Sequence, residues 1–301
     1  MTVLLLKRFF LAAVIALAGV AVSIANAAQV ESAPSVNPTA PAPAAAPGAY
    51  SKAIQQLLHI VTNINTKIVQ GKRAEADYAD ELKQFDTLIA AQEKVKNDDT
   101  AQIIWMRGVL HFQVLDDPAR ANDFFRKVLK EFPDTQLGKQ AANTVAGVER
   151  LATMRTIQKS LAVGSRFPDF SEVDVEGKPL SIGRFKGKVV LVDFWATWCG
   201  PCIMELPSVL STYQKYRDKG FEILGISLDQ DKQAMMTFAA SRGMGWPQFF
   251  DGKLWENKLA QKYGVMSIPA TYLLDAQGNI IAKDLRGPDL EAAVAKALAK
   301  K

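Results

Sequence analysis

The sequence predicts an α/β domain, a small sheet covered by helices on both faces, preceded by an all-helical domain. Three observations carry this. Residues 50–160 place their apolar side chains at helical spacing. From Leu161 onward, apolar strand-like runs alternate with helical stretches. At 301 residues and 49 % apolar, the chain is large enough to build two ordinary cores.

The N-terminal 27 residues read as an export signal. Lys7 and Arg8 form the positive flank, Phe9 to Ile24 is an uncharged apolar run of sixteen residues, and Ala25-Asn26-Ala27 offers a small-x-small cleavage site. A bilayer span needs about 20 residues, so cleavage is favoured over an N-terminal membrane anchor. Residues 28–49 hold Pro34, Pro38, Pro41, Pro43 and Pro47 among alanines, the composition of an extended linker that buries no core.

In the helical domain, residues 50–160, Ile54, Leu57, Leu58, Val61 and Ile68 make the first apolar stripe. A second helix, about Thr100 to Leu115, aligns Trp105, Val109 and Phe112. The clearest element runs from Pro118 to Phe132. Asp117 stands at its N-cap, Pro118 in its first turn and Pro133 at its end, with Ala121, Phe124, Phe125, Val128 and Leu129 on one face.

In residues 161–301, Val173 to Lys178 reads as a strand entering a turn, Lys188 to Phe194 as a buried strand and Cys202 to Arg217 as a helix. Phe221 to Ser227 is apolar at most positions, as in parallel strands. Helices are predicted over Asp231 to Arg242, Glu256 to Tyr263 and Asp289 to Ala299. Thr271 to Asp275 and Asn279 to Lys283 make a hairpin around Ala276-Gln277-Gly278.

A net charge of +5, of which Lys7 and Arg8 supply two, and the lack of a basic run interleaved with aromatics argue against a nucleic-acid partner. The chain has two cysteines, Cys199 and Cys202, in one C-x-x-C. So short a loop constrains the unfolded chain little, so the pair points to chemistry rather than to a structural staple. Half of a zinc site would need further ligands, yet His59 and His111 both lie in the helical domain.

Where a strand ends and a helix begins, unpaired N–H groups and positive potential favour a thiolate. Cys199 is placed there as the attacking sulfur, with Cys202 one turn further as the resolving one. Asp193 is a polar residue in an otherwise apolar strand, either a working acid or a hydrogen-bonded structural one. Glu205, three residues after Cys202, lies on the same helix face and could equally be a plain surface charge.

The segment Val192-Asp193-Phe194-Trp195-Ala196-Thr197-Trp198-Cys199-Gly200-Pro201-Cys202 resembles the thioredoxin active site, and Ser267-Ile268-Pro269-Ala270-Thr271 resembles that family's cis-proline loop. Gly164 to Phe170, Glu205-Leu206-Pro207 and the insertion Asp229 to Gly252 are similar to the exported TlpA/ResA thioredoxins. The resemblance implies a thioredoxin-like fold with a central mixed sheet, and a protein-disulfide oxidoreductase that needs no cofactor beyond the Cys199–Cys202 disulfide. It implies that Asp193 relays a proton to Cys202 and that Glu205 tunes the thiols. It further implies that cis-Pro269 and the Ile268 backbone receive substrate beside Gly200, Pro201 and Trp198, with Trp195 in the core. The set Trp105, Phe112, Ala121, Phe125 and Pro133 is similar in spacing to a tetratricopeptide repeat, and a protein partner could dock there.

Gly-Pro between the cysteines and Ile before the proline are thioredoxin-like, which favours a reductase of disulfide-containing envelope proteins fed by a membrane electron donor. Two other functions are consistent with the sequence. One is a peroxiredoxin-like thiol peroxidase, disfavoured because Ala196 stands where Thr or Ser precedes a peroxidatic Cys. The other is a partner-binding scaffold with a secondary redox domain.

Overall fold

The computed structural model describes residues 50–300. The signal and linker expectations for residues 1–27 and 28–49 lie outside the described residues. The chain divides into two compact units, with Ala152 ending the first and Thr153 beginning the second. That division falls eight residues before the change of pattern at Leu161.

The first unit is all helical: α1 (Lys52–Val69), α2 (Ala79–Ala91), α3 (Asp98–Gln113), α4 (Pro118–Glu131) and most of α5 (Gln136–Ser160). The caps follow the sequence. Asn97 accepts from Thr100 N–H at the start of α3, and Asp117 accepts from Arg120 N–H at the start of α4. Trp105 and Phe125 meet with ring centroids 4.6 Å apart. A methyl group at Gly108 would lie 2.7 Å from Cε1 of Phe125, so the bare glycine is what lets α3 and α4 close on that ring. Ala121, the small residue favoured by the spacing, is fully buried beside them.

The second unit contains a five-stranded sheet, ordered β5-β4-β3-β6-β7, from β3 (Val189–Trp195), β4 (Phe221–Ser227), β5 (Gln248–Phe250), β6 (Ala270–Leu274) and β7 (Ile280–Lys283). β3 runs parallel to β4, and β4 to β5; β6 is antiparallel to β3, and β7 to β6. The sheet is therefore mixed, and the fold is thioredoxin-like. Its helices are α6 (Gly200–Tyr216), α7 (Lys232–Ser241), α8 (Lys258–Lys262) and α9 (Gly287–Ala299). The expected strand at Val173 is a two-residue ladder, β1 (Glu172–Val173) with β2 (Pro179–Leu180), because Asp174 turns the chain by accepting from the N–H groups of Glu176 and Lys178. The helix expected over Glu256 to Tyr263 is cut at Asn257. That residue caps the short α8 by accepting from Leu259 and Ala260 N–H, after a 3-10 turn at Leu254–Glu256.

β3 is the central strand and is buried along its whole length. Its side chains alternate between faces. Phe194 packs on Tyr263 and Tyr272, at 6.1 and 6.2 Å between centroids, while Asp193 and Trp195 point to the face lined by α6 and α9. On the Phe194 side, Gln158 of α5 donates to the Tyr263 carbonyl and the Tyr272 hydroxyl, both at 2.7 Å, and accepts from Lys283 at 3.0 Å. These bonds explain why the last turns of α5 belong to the second unit.

Candidate active site

β3 delivers the chain to the site, and α6 begins there. Between them, Thr197 is fixed by Asp229, which follows β4. Its N–H donates to Oδ1 and Oδ2 of Asp229 at 3.1 Å each, and its hydroxyl donates to Oδ1 at 2.6 Å. Ser227 donates to the other oxygen at 2.8 Å. Asp229 is itself buried, so every one of these bonds matters. Asp229→Ala should strip three donors of their acceptor and lower stability by about 2–3 kcal/mol. Urea denaturation checks this, and a loss below measurement error would show that the tether is dispensable.

Cys199 is the N-cap of α6. Its Sγ accepts from the N–H of Cys202 at 3.2 Å, and Pro201 occupies the first turn, where no N–H is needed. Cys199 and Cys202 are joined as a disulfide, and both are buried. The Ile268–Pro269 bond is cis. Gly200 and Pro201 are exposed, Ile268 is half-buried, Trp195 is buried, and Trp198 is 42 % exposed against the edge of Trp255.

A cavity of about 20 Å³, room for one water, brings four of the sequence-chosen residues together: Asp193, Cys202, Glu205 and Pro269. Trp198, Gly200 and Pro201, at the surface, half-buried Ile268 and buried Cys199 lie outside its lining. Among the described residues, the Asp193 carboxylate makes no hydrogen bond to protein. Burial pushes its pKa up to about 7, against the opposing pull of Arg286. Glu205 is not a free surface charge, since its Oε2 accepts from Gly287 N–H at 2.9 Å, at the opening of α9. Ser208 of α6 donates to the Gly287 carbonyl at 2.9 Å, so both backbone polar groups of that glycine are tied to the helix carrying the dithiol.

Several residues at the site are ones that the sequence reading did not single out. Arg286 lines the cavity and donates to the Pro269 carbonyl at 2.6 Å. Met204 and Met266 are 75 % and 48 % exposed, and with Trp198 they make three of the five large apolar side chains exposed in the second unit among the described residues. The visible hint was their placement, two residues after Cys202 and three before Pro269. His111 is buried and stacks on Phe124, and burial pushes its pKa down to about 4. Among the described residues no three His, Cys, Asp or Glu gather as a metal site.

A family model described as Redoxin matches residues 162–299. The thiol-disulfide oxidoreductase ResA of Bacillus thuringiensis subsp. konkukian is 33 % identical over 132 residues, which cover 44 % of this chain and 74 % of that protein. This chain belongs to the ResA family of thiol-disulfide oxidoreductases. ResA of Bacillus subtilis is 31 % identical over 124 residues, 41 % of this chain and 68 % of its own length. Among solved structures, the thioredoxin domain of a thiol-disulfide oxidoreductase from Bacteroides vulgatus is 38 % identical, with a TM-score of 0.42 over 46 % of this chain and 98 % of that one. A thiol:disulfide interchange protein from Bacteroides sp. is 37 % identical, with a TM-score of 0.43 over 46 % and 92 %. This ResA-family protein is a thiol-disulfide oxidoreductase, and its redox couple is Cys199–Cys202. No described helix is long and apolar enough to cross a membrane.

Proposed function

We propose that this ResA-family protein is an exported disulfide reductase acting on envelope proteins. Cys199 attacks a substrate disulfide, Cys202 resolves the mixed disulfide, and a membrane donor returns the two electrons. The observation that carries the reading is Cys199 at the N-cap of α6, with its sulfur receiving the Cys202 N–H. On reduction, that N–H and the helix terminus favour the thiolate at Cys199 over Cys202.

Asp193 acts as the proton relay, through the single water for which its cavity has room. Its elevated pKa lets it exchange a proton near neutrality. Glu205 tunes the thiols as a second carboxylate beside Cys202, with one oxygen committed to Gly287. Substrate strands pair with the Ile268 backbone beside cis-Pro269 and pack on Trp198, Met204 and Met266. The segments 196–204 and 265–270 contain no charged residue, which suits apolar side chains around the substrate cysteine. The helical unit, read as a tetratricopeptide-like region on the Trp105–Phe125 packing, serves a protein partner.

The test is the reduction potential, measured by equilibration in dithiothreitol or glutathione buffers. A value near the about −270 mV of thioredoxin supports a reductase; one near the about −120 mV of DsbA overturns the direction.

A further inference from the structure

Arg286 stands in the turn between β7 and α9, 87 residues from Cys199 in sequence, yet its side chain enters the dithiol cavity. Its Nη2 donates to the Pro269 carbonyl at 2.6 Å, and its Nη1 donates to the Leu285 carbonyl at 2.8 Å and to the Thr271 hydroxyl at 3.3 Å. Thr271 is the residue paired across the ladder with Asp193. One guanidinium therefore bonds the carbonyl of the cis-proline residue and the hydroxyl of Thr271, two residues on, while its charge faces the buried carboxylate from the same cavity.

The charged and titratable groups around Asp193 are few. From α6 come Cys202, which titrates only when reduced, and Glu205, held by Gly287. From the turn ahead of α9 comes Asp284, whose Oδ1 accepts from Thr271 N–H at 3.3 Å. β4, the other neighbour of β3, sets Gly225 opposite Asp193. Arg286 is the one cation among the residues lining the cavity, and among the described residues it forms no ion pair with any carboxylate. Without it, Asp193 and Glu205 would share the cavity with no cation among its lining residues.

We propose that Arg286 is a positioning residue of the redox site, which clamps the cis-proline loop from behind through the Pro269 carbonyl and supplies the positive charge against which Asp193 ionises. The clamp requires an arginine, because a planar fork serves several fixed oxygens at once and an ammonium does not. The charge requires only a cation. The two contributions can thus be separated by substitution. The value of the charge to turnover rests on the relay reading of Asp193, but its presence does not.

The test uses the full chain with Arg286→Met and Arg286→Lys. In the oxidised protein, where the cysteines do not titrate, the Asp193 carboxyl is followed by carbon-13 NMR against pH. Arg286→Met should raise the proton affinity of Asp193 tenfold or more, and Arg286→Lys should restore it to within about threefold. For insulin reduction with dithiothreitol as electron source, KM should rise at least about threefold in both variants, because neither holds the loop as the fork does. An unmoved Asp193 midpoint in Arg286→Met overturns the electrostatic half, and an unchanged KM in both variants overturns the clamp. Should Arg286→Met fail to fold, Arg286→Gln, neutral but still a donor, takes its place in the titration. If Asp193→Asn turns out to reduce insulin normally, the relay reading fails, while the NMR shift still decides the role of Arg286.

Discussion

Cys199→Ser is expected to lose all reduction of protein disulfides above the uncatalysed background, whereas Cys202→Ser is expected to capture substrate covalently. Exchange starts from a thiolate, and only Cys199 sits where a helix N-terminus donates an N–H to sulfur. Serine at 199 is no nucleophile at neutral pH, so no mixed disulfide forms. With serine at 202, the Cys199 mixed disulfide forms but nothing displaces the substrate from it. Intact mass analysis under non-reducing conditions reads the difference directly. Adducts on Cys199→Ser through Cys202, with none on Cys202→Ser, would reverse the assigned roles.

Asp193→Asn should make the protein more stable, by a margin that grows with pH, and less active. Burial raises the Asp193 pKa from 3.8 to about 7. Between those values the native state holds one proton more than the unfolded chain, so stability falls as pH rises from about 4 to about 7. Above pH 7 the full penalty stands, about 4 kcal/mol for a shift of this size. Asparagine never ionises, so its advantage is absent below pH 4 and complete above pH 7. Urea unfolding of oxidised wild type and variant at pH 4 and pH 8 measures it. Equal stabilities at pH 8 would show that ionising Asp193 in its buried site carries no folding penalty. Activity should move the opposite way, since the variant cannot carry a proton to or from Cys202.

The frame of the second unit was legible because its elements announce themselves locally. The run from Val189 to Trp195 is uninterrupted apolar sequence except for Asp193, and Phe221–Ser227 behaves in the same way. Pro118 after Asp117 marks a helix start that the chain adopts. The site was legible where chemistry is written in neighbouring residues, as in Cys199-Gly200-Pro201-Cys202 and Ile268-Pro269. It was not legible where distant residues cooperate. β5 is three residues long and gains its place from parallel pairing with β4, and a methyl group on Gly225 there would fall 2.0 Å from Oε1 of Gln248. That glycine leaves room for the Gln248 side chain to accept from the Trp195 indole at 3.0 Å, a bond across 53 positions. Asp229 reaching Thr197, Arg286 reaching Pro269 and Glu205 reaching Gly287 are likewise side-chain bonds over long separations, on which periodicity and propensity are silent. Glu205 shows the cost of that silence: its spacing places it beside Cys202 but gives no hint that it also caps another helix.

The hydrogen bonds of Gln158 bear on how this protein can be taken apart and recombined. The family match opens at residue 162, and a gene fusion joined there would carry all five strands of the main sheet and both cysteines. It would leave behind the amide that ties the Tyr263 backbone to the Tyr272 hydroxyl, together with Ile157, which packs on the same core. The transferable module therefore starts inside the preceding helix, by Thr153. A shuffled copy beginning at Leu161 would inherit the reactive sulfurs with an open flank, on the face of β3 opposite the one that holds Asp193.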